Sequence, residues 1–461
     1  MMKNLKLLLF IFTLLVVCMP IVADASIEPI DEIRELIRDN YVDEVQEVVL
    51  AKGSVTEIMK HLDPHSIYMN AKEYQDFING IEQRIVGVGV VLEEDLKGIK
   101  ITSLIPKGPA ERGDIRPGDI ITHVNGRSVV GKPVQIAISL ISGEENTTVT
   151  LMITRKGQDA PLTKKLIREE IFLPNVESAM LGGNIGYIRL NSFATETSRE
   201  VEKAIRSLQG ADRWILDLRD NGGGYITAAQ EITGFFPDAG EAFQLRDREY
   251  GTVNYPSILQ LKKLSGTPSV LINEYSASAS EMVAGSVKEQ KAAILYGQKS
   301  YGKGSMQSMF NFPDGSVLKM TTARFYSPGG QAVDKIGVKP NKLTEKGKEL
   351  EIAHRDHLLA KLKGFRQLSD MRNVPVAKKF TVEMNMKMDW KGMETSAIEL
   401  IELGGEASEV VVEVKDNKTL SVFPTKSLVS GKDYLLIIHP RWKNQQKKPV
   451  QQGVYLDISV K

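Results

Sequence analysis

The chain has almost no cysteine, little histidine and no excess of charge. Its one cysteine, Cys18, falls in an N-terminal apolar run, so a chain cut after that run would carry no thiol. Disulfides, thiol catalysis and cysteine-held metals are thereby excluded. The six histidines, His61, His65, His123, His354, His357 and His439, leave residues 184–340 without an imidazole. A serine nucleophile in that stretch would need a different base. A net charge of +1 gives no footprint for nucleic acid or for an anionic membrane surface. Lys443, Lys447 and Lys448 read as a solvated face. With 42% apolar and 25% charged residues, the composition is that of globular protein rather than of a disordered or fibrous chain.

The N-terminus carries Lys3 and Lys6, then apolar residues 7–17, Pro20 and Ala23-Asp24-Ala25. That is the order of a secretory leader, with cleavage expected after Ala25 and the product exported to the envelope or beyond. An apolar stretch of about 17 residues also allows an uncleaved anchor. Residues 30–50 follow with Ile30, Ile33, Leu36, Ile37, Val42 and Val45 at helical spacing, a stripe expected to serve as a homodimer contact. Leu62-Asp63-Pro64-His65-Ser66 reads as a turn, with His65 as a turn contact rather than a ligand.

From residue 87 the pattern changes to short β-type runs. Gly87-Val88-Gly89-Val90 leads into Ile99-Lys100-Ile101, then Pro117-Gly118-Asp119, Val124-Asn125-Gly126 and a strand over 149–154. This ordered block resembles a PDZ domain, in which Gly87, Val88, Gly89 and Val90 form the peptide-carboxylate loop. Glycines let successive backbone N–H groups converge on one anion, and a neighbouring sheet edge adds a ligand as an extra strand. From 184 strands and helices alternate: 185–190, a helix over 198–208, 214–218, 269–272, a helix over 280–290, and 294–296. Alternation of this kind predicts stacked βαβ units. Beyond Pro340 a charged helix and a linker precede alternating strands from Phe380 to the end, the pattern of a β-sandwich. Residues 424–434 resemble the penultimate loop of bacterial immunoglobulin-like domains.

Chemistry concentrates in Ser276-Ala277-Ser278-Ala279-Ser280-Glu281 and Tyr301-Gly302-Lys303-Gly304-Ser305-Met306-Gln307. A nucleophilic serine works best between a strand and a helix, where helix N–H groups face a developing oxyanion. Ser278 sits at such a junction, although small residues also cap helices without catalysing anything. Without a local histidine, Lys303 between two glycines is the candidate base. A lysine must fall roughly three units from about 10.4 to act near pH 7, about 4 kcal/mol, which burial supplies. Ser276 or Ser280 with a remote histidine is the rival assignment.

These two segments resemble the carboxy-terminal processing peptidases over roughly residues 30–340. The resemblance implies Ser278 as nucleophile, Lys303, twenty-five positions later, as base, and Gln307 as the residue that orients it. An extended strand would carry Gln307 roughly 13 Å from Lys303, so their contact requires a bend. The segment from Asp217 to Gly224 resembles the family's oxyanion-hole motif, with Gly223, Gly224 and Ala279 as donors. Arg219 reads as a loop-pinning residue. No metal or cofactor is implied.

The expected fold class is multidomain α+β, an α/β serine-peptidase core with an inserted PDZ domain, N-terminal helices and a C-terminal β-sandwich. The divisions are a leader 1–25, a helical region 26–84, the PDZ domain 85–172, the core 173–342, a helical linker 343–376 and the sandwich 377–461. The resemblance implies polypeptide substrates with free C-termini, and it is silent on the sandwich, for which cell-envelope contact is a separate expectation. The alternative is a catalytically inactive PDZ and immunoglobulin-like scaffold.

Overall fold

The computed structural model describes residues 29–158, 160–391 and 395–461, so the expected leader lies outside the described residues. The centre is a six-stranded sheet in the order Val176–Leu181, Ile185–Leu190, Arg213–Asp217, Ser269–Ile272, Ile294–Gly297 and Lys342–Leu343. Its first pair is antiparallel and the rest are parallel. Parallel strands covered on both faces read as continuous apolar runs, and Ser269–Ile272 is buried at every position. Alternate residues divide between the two faces. Trp214, Leu216, Val270, Ile272 and Leu295 pack against the helices Thr197–Ser207, Ile226–Thr233 and Ala279–Glu289. Ile185, Ile215, Leu271 and Tyr296 face the other way, toward the helix Glu349–Lys361.

That helix lies in a region expected to be a linker, and it is instead a buried wedge. Its Ala353 and Leu358 share one cluster with Ile401, Leu435 and Ile437 of the C-terminal strands. Arg366–Gln367 and Met371–Val374, also expected as linker, pair with Val454–Val460 in the sandwich. The sandwich itself packs Phe380, Val382, Leu420 and Val422 of a three-stranded sheet against Leu400, Leu436, Leu456 and Ile458 of a larger one.

A second, antiparallel sheet carries the hairpin Ser305–Asn311 with Val317–Tyr326. The N-terminal helix Ile30–Asn40 buries Ile33 and Ile37 completely, against Phe312, Leu318 and Met320 of this hairpin. The stripe expected to make a dimer is therefore consumed inside one chain, and the reason for that expectation goes with it. Between these elements a two-stranded ribbon, Arg84–Gly87 with Glu169–Phe172, leads out to a six-stranded unit with its own core around Ile99, Ile121, Val124 and Leu151.

Two buried histidines tie the layers together. His354 Nδ1 accepts the Gly404 N–H at 2.9 Å, so its proton sits on Nε2, which donates to the Gly182 carbonyl at 2.8 Å. His357 meets Ser269 Oγ at 2.8 Å, and burial pushes its pKa down to about 4. Burial also lowers His354. Between about pH 6.5 and 4 the unfolded chain binds protons that the folded chain excludes, so this stability is present above pH 6.5 and lost on acidification. Thermal unfolding at pH 4.5 should show a loss on the order of 2 kcal/mol from His357 relative to pH 7.5. His357→Gln should flatten that part of the dependence, and an unchanged slope in the variant would refute the assignment.

Candidate active site

Ser278 stands where the sequence places it, between the buried strand Ser269–Ile272 and the helix Ala279–Glu289. Its backbone adopts φ 56° and ψ −115°, a conformation that costs about 1–3 kcal/mol for a residue with a Cβ and persists only when its surroundings enforce it. The flanking serines help to enforce it. Ser276 Oγ donates to the Leu218 carbonyl at 2.8 Å, and Ser280 Oγ donates to the Asn221 carbonyl at 2.9 Å. Both hydroxyls thus staple the elbow to the glycine-rich loop, and neither has a histidine beside it.

Glu281 provides the rest, a role that only its capping-box spacing from Ser278 foreshadows in the sequence. Its fully buried carboxylate accepts the Ser278 N–H at 3.0 Å, the Ser300 hydroxyl at 2.5 Å, the Gly302 N–H at 2.7 Å and the Lys303 N–H at 2.8 Å. Burial raises its pKa, against the pull of these bonds. One side chain therefore holds the serine elbow and the lysine turn in a single frame.

Lys303 and Ser278 line one cleft of about 670 Å³, together with Gln307, Gly223, Gly224, Met306, Met309 and Phe77. Desolvation lowers the Lys303 amine below its ordinary value, while the charges of Asp63 and Glu281 act to raise it. Gln307 does reach the cleft, and the bend it required exists as a register shift between Met306 and Gln307. Its amide, however, donates to Ser305 Oγ at 2.9 Å and Thr321 Oγ1 at 3.1 Å, and makes no hydrogen bond with Lys303.

The glycine-rich loop needs its glycines. A Cβ on Gly223 would lie 2.8 Å from Ser278 Cβ and 2.9 Å from Ala279 N, and one on Gly224 would lie 2.3 Å from the Phe193 carbonyl oxygen. The three expected donors are not equivalent. The Gly223 N–H is already donated to Asn221 Oδ1 at 2.9 Å. Among the described residues the N–H groups of Gly224 and Ala279 have no acceptor, which leaves this pair free to meet an oxyanion. Arg219 pins its loop, pairing with Asp217 at 2.6 Å and with Glu349 of the wedge helix at 2.8 Å.

Lys319 was not foreseen, and its signal is a cation inside the apolar run Val317-Leu318-Lys319-Met320. It is buried in the same cleft with no carboxylate in ion-pair contact among the described residues, its Nζ 4.9 Å over the Phe77 ring. Burial first, and then the Lys303 charge, push its pKa down to about 8.

In the outlying unit Gly89 takes φ +77°, and the carbonyls of Val88 and Gly89 accept N–H groups of Ala110 and Ile105. The loop from Gly87 to Val90 opens onto Val90–Asp95, the edge strand of its sheet, with the helix Val134–Ile141 packed beside it.

Removing the clamp should cost more than any single hydrogen bond. Glu281→Ala leaves four donors unpaired and should lower stability by about 3 kcal/mol or more, measured by denaturant unfolding. Glu281→Gln should fall between this variant and the wild type.

Residues 184–343 match the profile of peptidase family S41, and residues 100–155 match a PDZ domain. A probable CtpA-like serine protease of Staphylococcus aureus is 30% identical over 414 residues, covering 88% of this chain and 82% of that protein. A Staphylococcus epidermidis protein of the same description is 34% identical over 324 residues, 69% of this chain, and the match spans only 65% of that relative's length. A solved structure of a photosystem II D1 C-terminal processing protease is similar at 26% identity, over 68% of this chain and 92% of that one, with a TM-score of 0.44. By its peptidase stretch, its PDZ domain and its similarity to 82% of the S. aureus protein, the chain belongs to peptidase family S41.

Proposed function

We propose that the chain is a serine endopeptidase in which Ser278 is the nucleophile and Lys303 the general base. The observation that carries this reading is the shared Glu281 clamp, which fixes a strained serine and a desolvated lysine on one cleft beside two free N–H groups. The neutral Lys303 amine takes the Ser278 hydroxyl proton as Oγ bonds to the scissile carbonyl carbon. The oxyanion is received by Gly224 and Ala279. The lysine ammonium then gives its proton to the leaving amine, and water deacylates the serine with the same amine as base.

The finer reading concerns substrate and place. The loop from Gly87 to Val90 and the open edge strand Val90–Asp95 support capture of a polypeptide by its free C-terminus. The leader sequence, read from residues 1–25 alone, supports export, with the sandwich as the part that meets the envelope.

Cleavage of an unstructured polypeptide with an apolar C-terminus tests the assignment. Ser278→Ala and Lys303→Ala should each lower kcat by about 10³-fold or more, whereas Ser276→Ala and Ser280→Ala should stay within about tenfold of wild type in any folded form. Because only the unprotonated amine acts as base, kcat/KM should rise with pH through the Lys303 pKa. Amidating the substrate C-terminus should raise KM with little change in kcat, and equal KM values would remove the carboxylate-capture reading. A folded wild type that cleaves nothing would leave the inactive scaffold in its place.

A further inference from the structure

The turn Leu62-Asp63-Pro64-His65-Ser66 belongs to the N-terminal segment, far in sequence from the serine and the lysine, yet hydrogen bonds tie it to Thr321, on the strand that carries Lys319. It feeds the strand Ile67–Met69, which pairs with Val317–Tyr326 so that Ile67 stands opposite Lys319. Asp63 Oδ1 accepts the His65 N–H at 2.9 Å and the Thr321 hydroxyl at 3.0 Å, and Oδ2 accepts the Ser66 hydroxyl at 2.6 Å. Ser66 Oγ in turn accepts the Thr321 N–H at 3.0 Å. Thr321 is buried, and its Oγ1 also accepts the Gln307 amide at 3.1 Å. Asp63, Thr321 and Gln307 thus form an unbroken relay from the N-terminal segment to the cleft. The turn is anchored from behind, where the Asp63 N–H donates to the buried Tyr41 hydroxyl at 2.9 Å.

The charges around this turn are unevenly matched. Lys303 and Lys319 line the cleft together with Asp76 and Asp220, and among the described residues neither lysine has a carboxylate in ion-pair contact. Asp63 faces them from the turn, beside the half-buried His65. Glu281 approaches Lys303 from the helix behind the serine, and Asp334 accepts the Gly304 N–H at 3.3 Å from the far side. The charges of Asp63 and Glu281 both act to raise Lys303 against its burial. Burial opposes ionisation of Asp63, but the Ser66, His65 and Thr321 donors hold its carboxyl below the ordinary value, so it is a fixed anion at neutral pH.

We propose that Asp63 is a positioning residue of the catalytic site, holding Gln307 through Thr321 and setting an anion near the two lysines without an ion-pair contact to either. The inference rests on the Ser278 and Lys303 reading above and adds a third layer behind it, from a part of the chain outside the stretch 184–343. Its consequence is directional. An anion beside an amine favours the ammonium form, so Asp63 restrains how far burial lowers Lys303, and removing its charge must lower Lys303 further.

The test reads the lysine directly, in Ser278→Ala protein labelled with ¹³C-lysine, so that turnover is not needed. The Lys303 signal is assigned by its loss in Lys303→Met. Asp63→Asn, which retains an acceptor for Thr321 but not the charge, should lower the Lys303 titration midpoint by about one pH unit. In the active enzyme the acidic limb of kcat/KM should move the same way. Thr321→Val, which cuts the relay and keeps the charge, should lower kcat about tenfold without moving the midpoint or KM. An unmoved midpoint in folded Asp63→Asn would overturn the proposal and leave the turn a scaffold. Should Asp63→Asn fail to fold, Thr321→Val decides: unchanged kcat overturns the relay. A wild type without turnover would refute the peptidase reading, whereas the lysine titration would still decide the role of Asp63.

Discussion

The site depends on a carboxylate that reaches neither solvent nor substrate. Glu281 lies on the first turn of a buried helix, where the N–H groups of the helix start already favour negative charge. Four donors from two separate loops converge on it. A buried anion without such partners would cost several kcal/mol, and with them it locks the loops in register. The strained Ser278 backbone becomes tolerable because its N–H is one of those donors. The same frame turns Lys303 into the cleft, because the lysine's own N–H is another.

The layers around the central sheet explain why this frame stays rigid. On one face the helix that carries Glu281 is packed from end to end. On the other face the helix Glu349–Lys361 is held between the sheet and the C-terminal sandwich, with His354 bridging Gly182 and Gly404. Arg219 joins that helix to the strand end that opens the glycine-rich loop. The sandwich is therefore part of the support behind the glycine-rich loop rather than an appendage on a tether.

The electrostatics of the cleft follow from the burial of its two lysines. Two lysines enter a cleft that Phe77, Met306 and Met309 help to line, and both have lowered pKa values because desolvation disfavours the ammonium. A lysine is a usable base near neutrality only under such conditions. The absence of an imidazole from residues 184–340 thus has its counterpart in the burial of an amine.

Much of this was readable without coordinates. Alternating strands and helices, the serine between strand and helix, the glycine-flanked lysine and the PDZ block are all local patterns of period or spacing, and local patterns survive in one dimension. The apolar stripe on Ile33 and Ile37 was equally visible, but its partner was not, because a stripe states only that a face is buried. Phe312 and Leu318, nearly 300 residues away, decide where. The Gly223 N–H, the partners of Gln307, the second lysine and Asp63 escaped for the same reason. Each role is set by a neighbour across a sheet or a loop, at distances of about 3 Å that sequence separation does not encode. What the sequence by itself determined was which residues had the chemistry to act. Which of their hydrogen bonds were already occupied, and which charges faced one another, was decided only by tertiary packing, because those contacts exist only once distant segments are packed together.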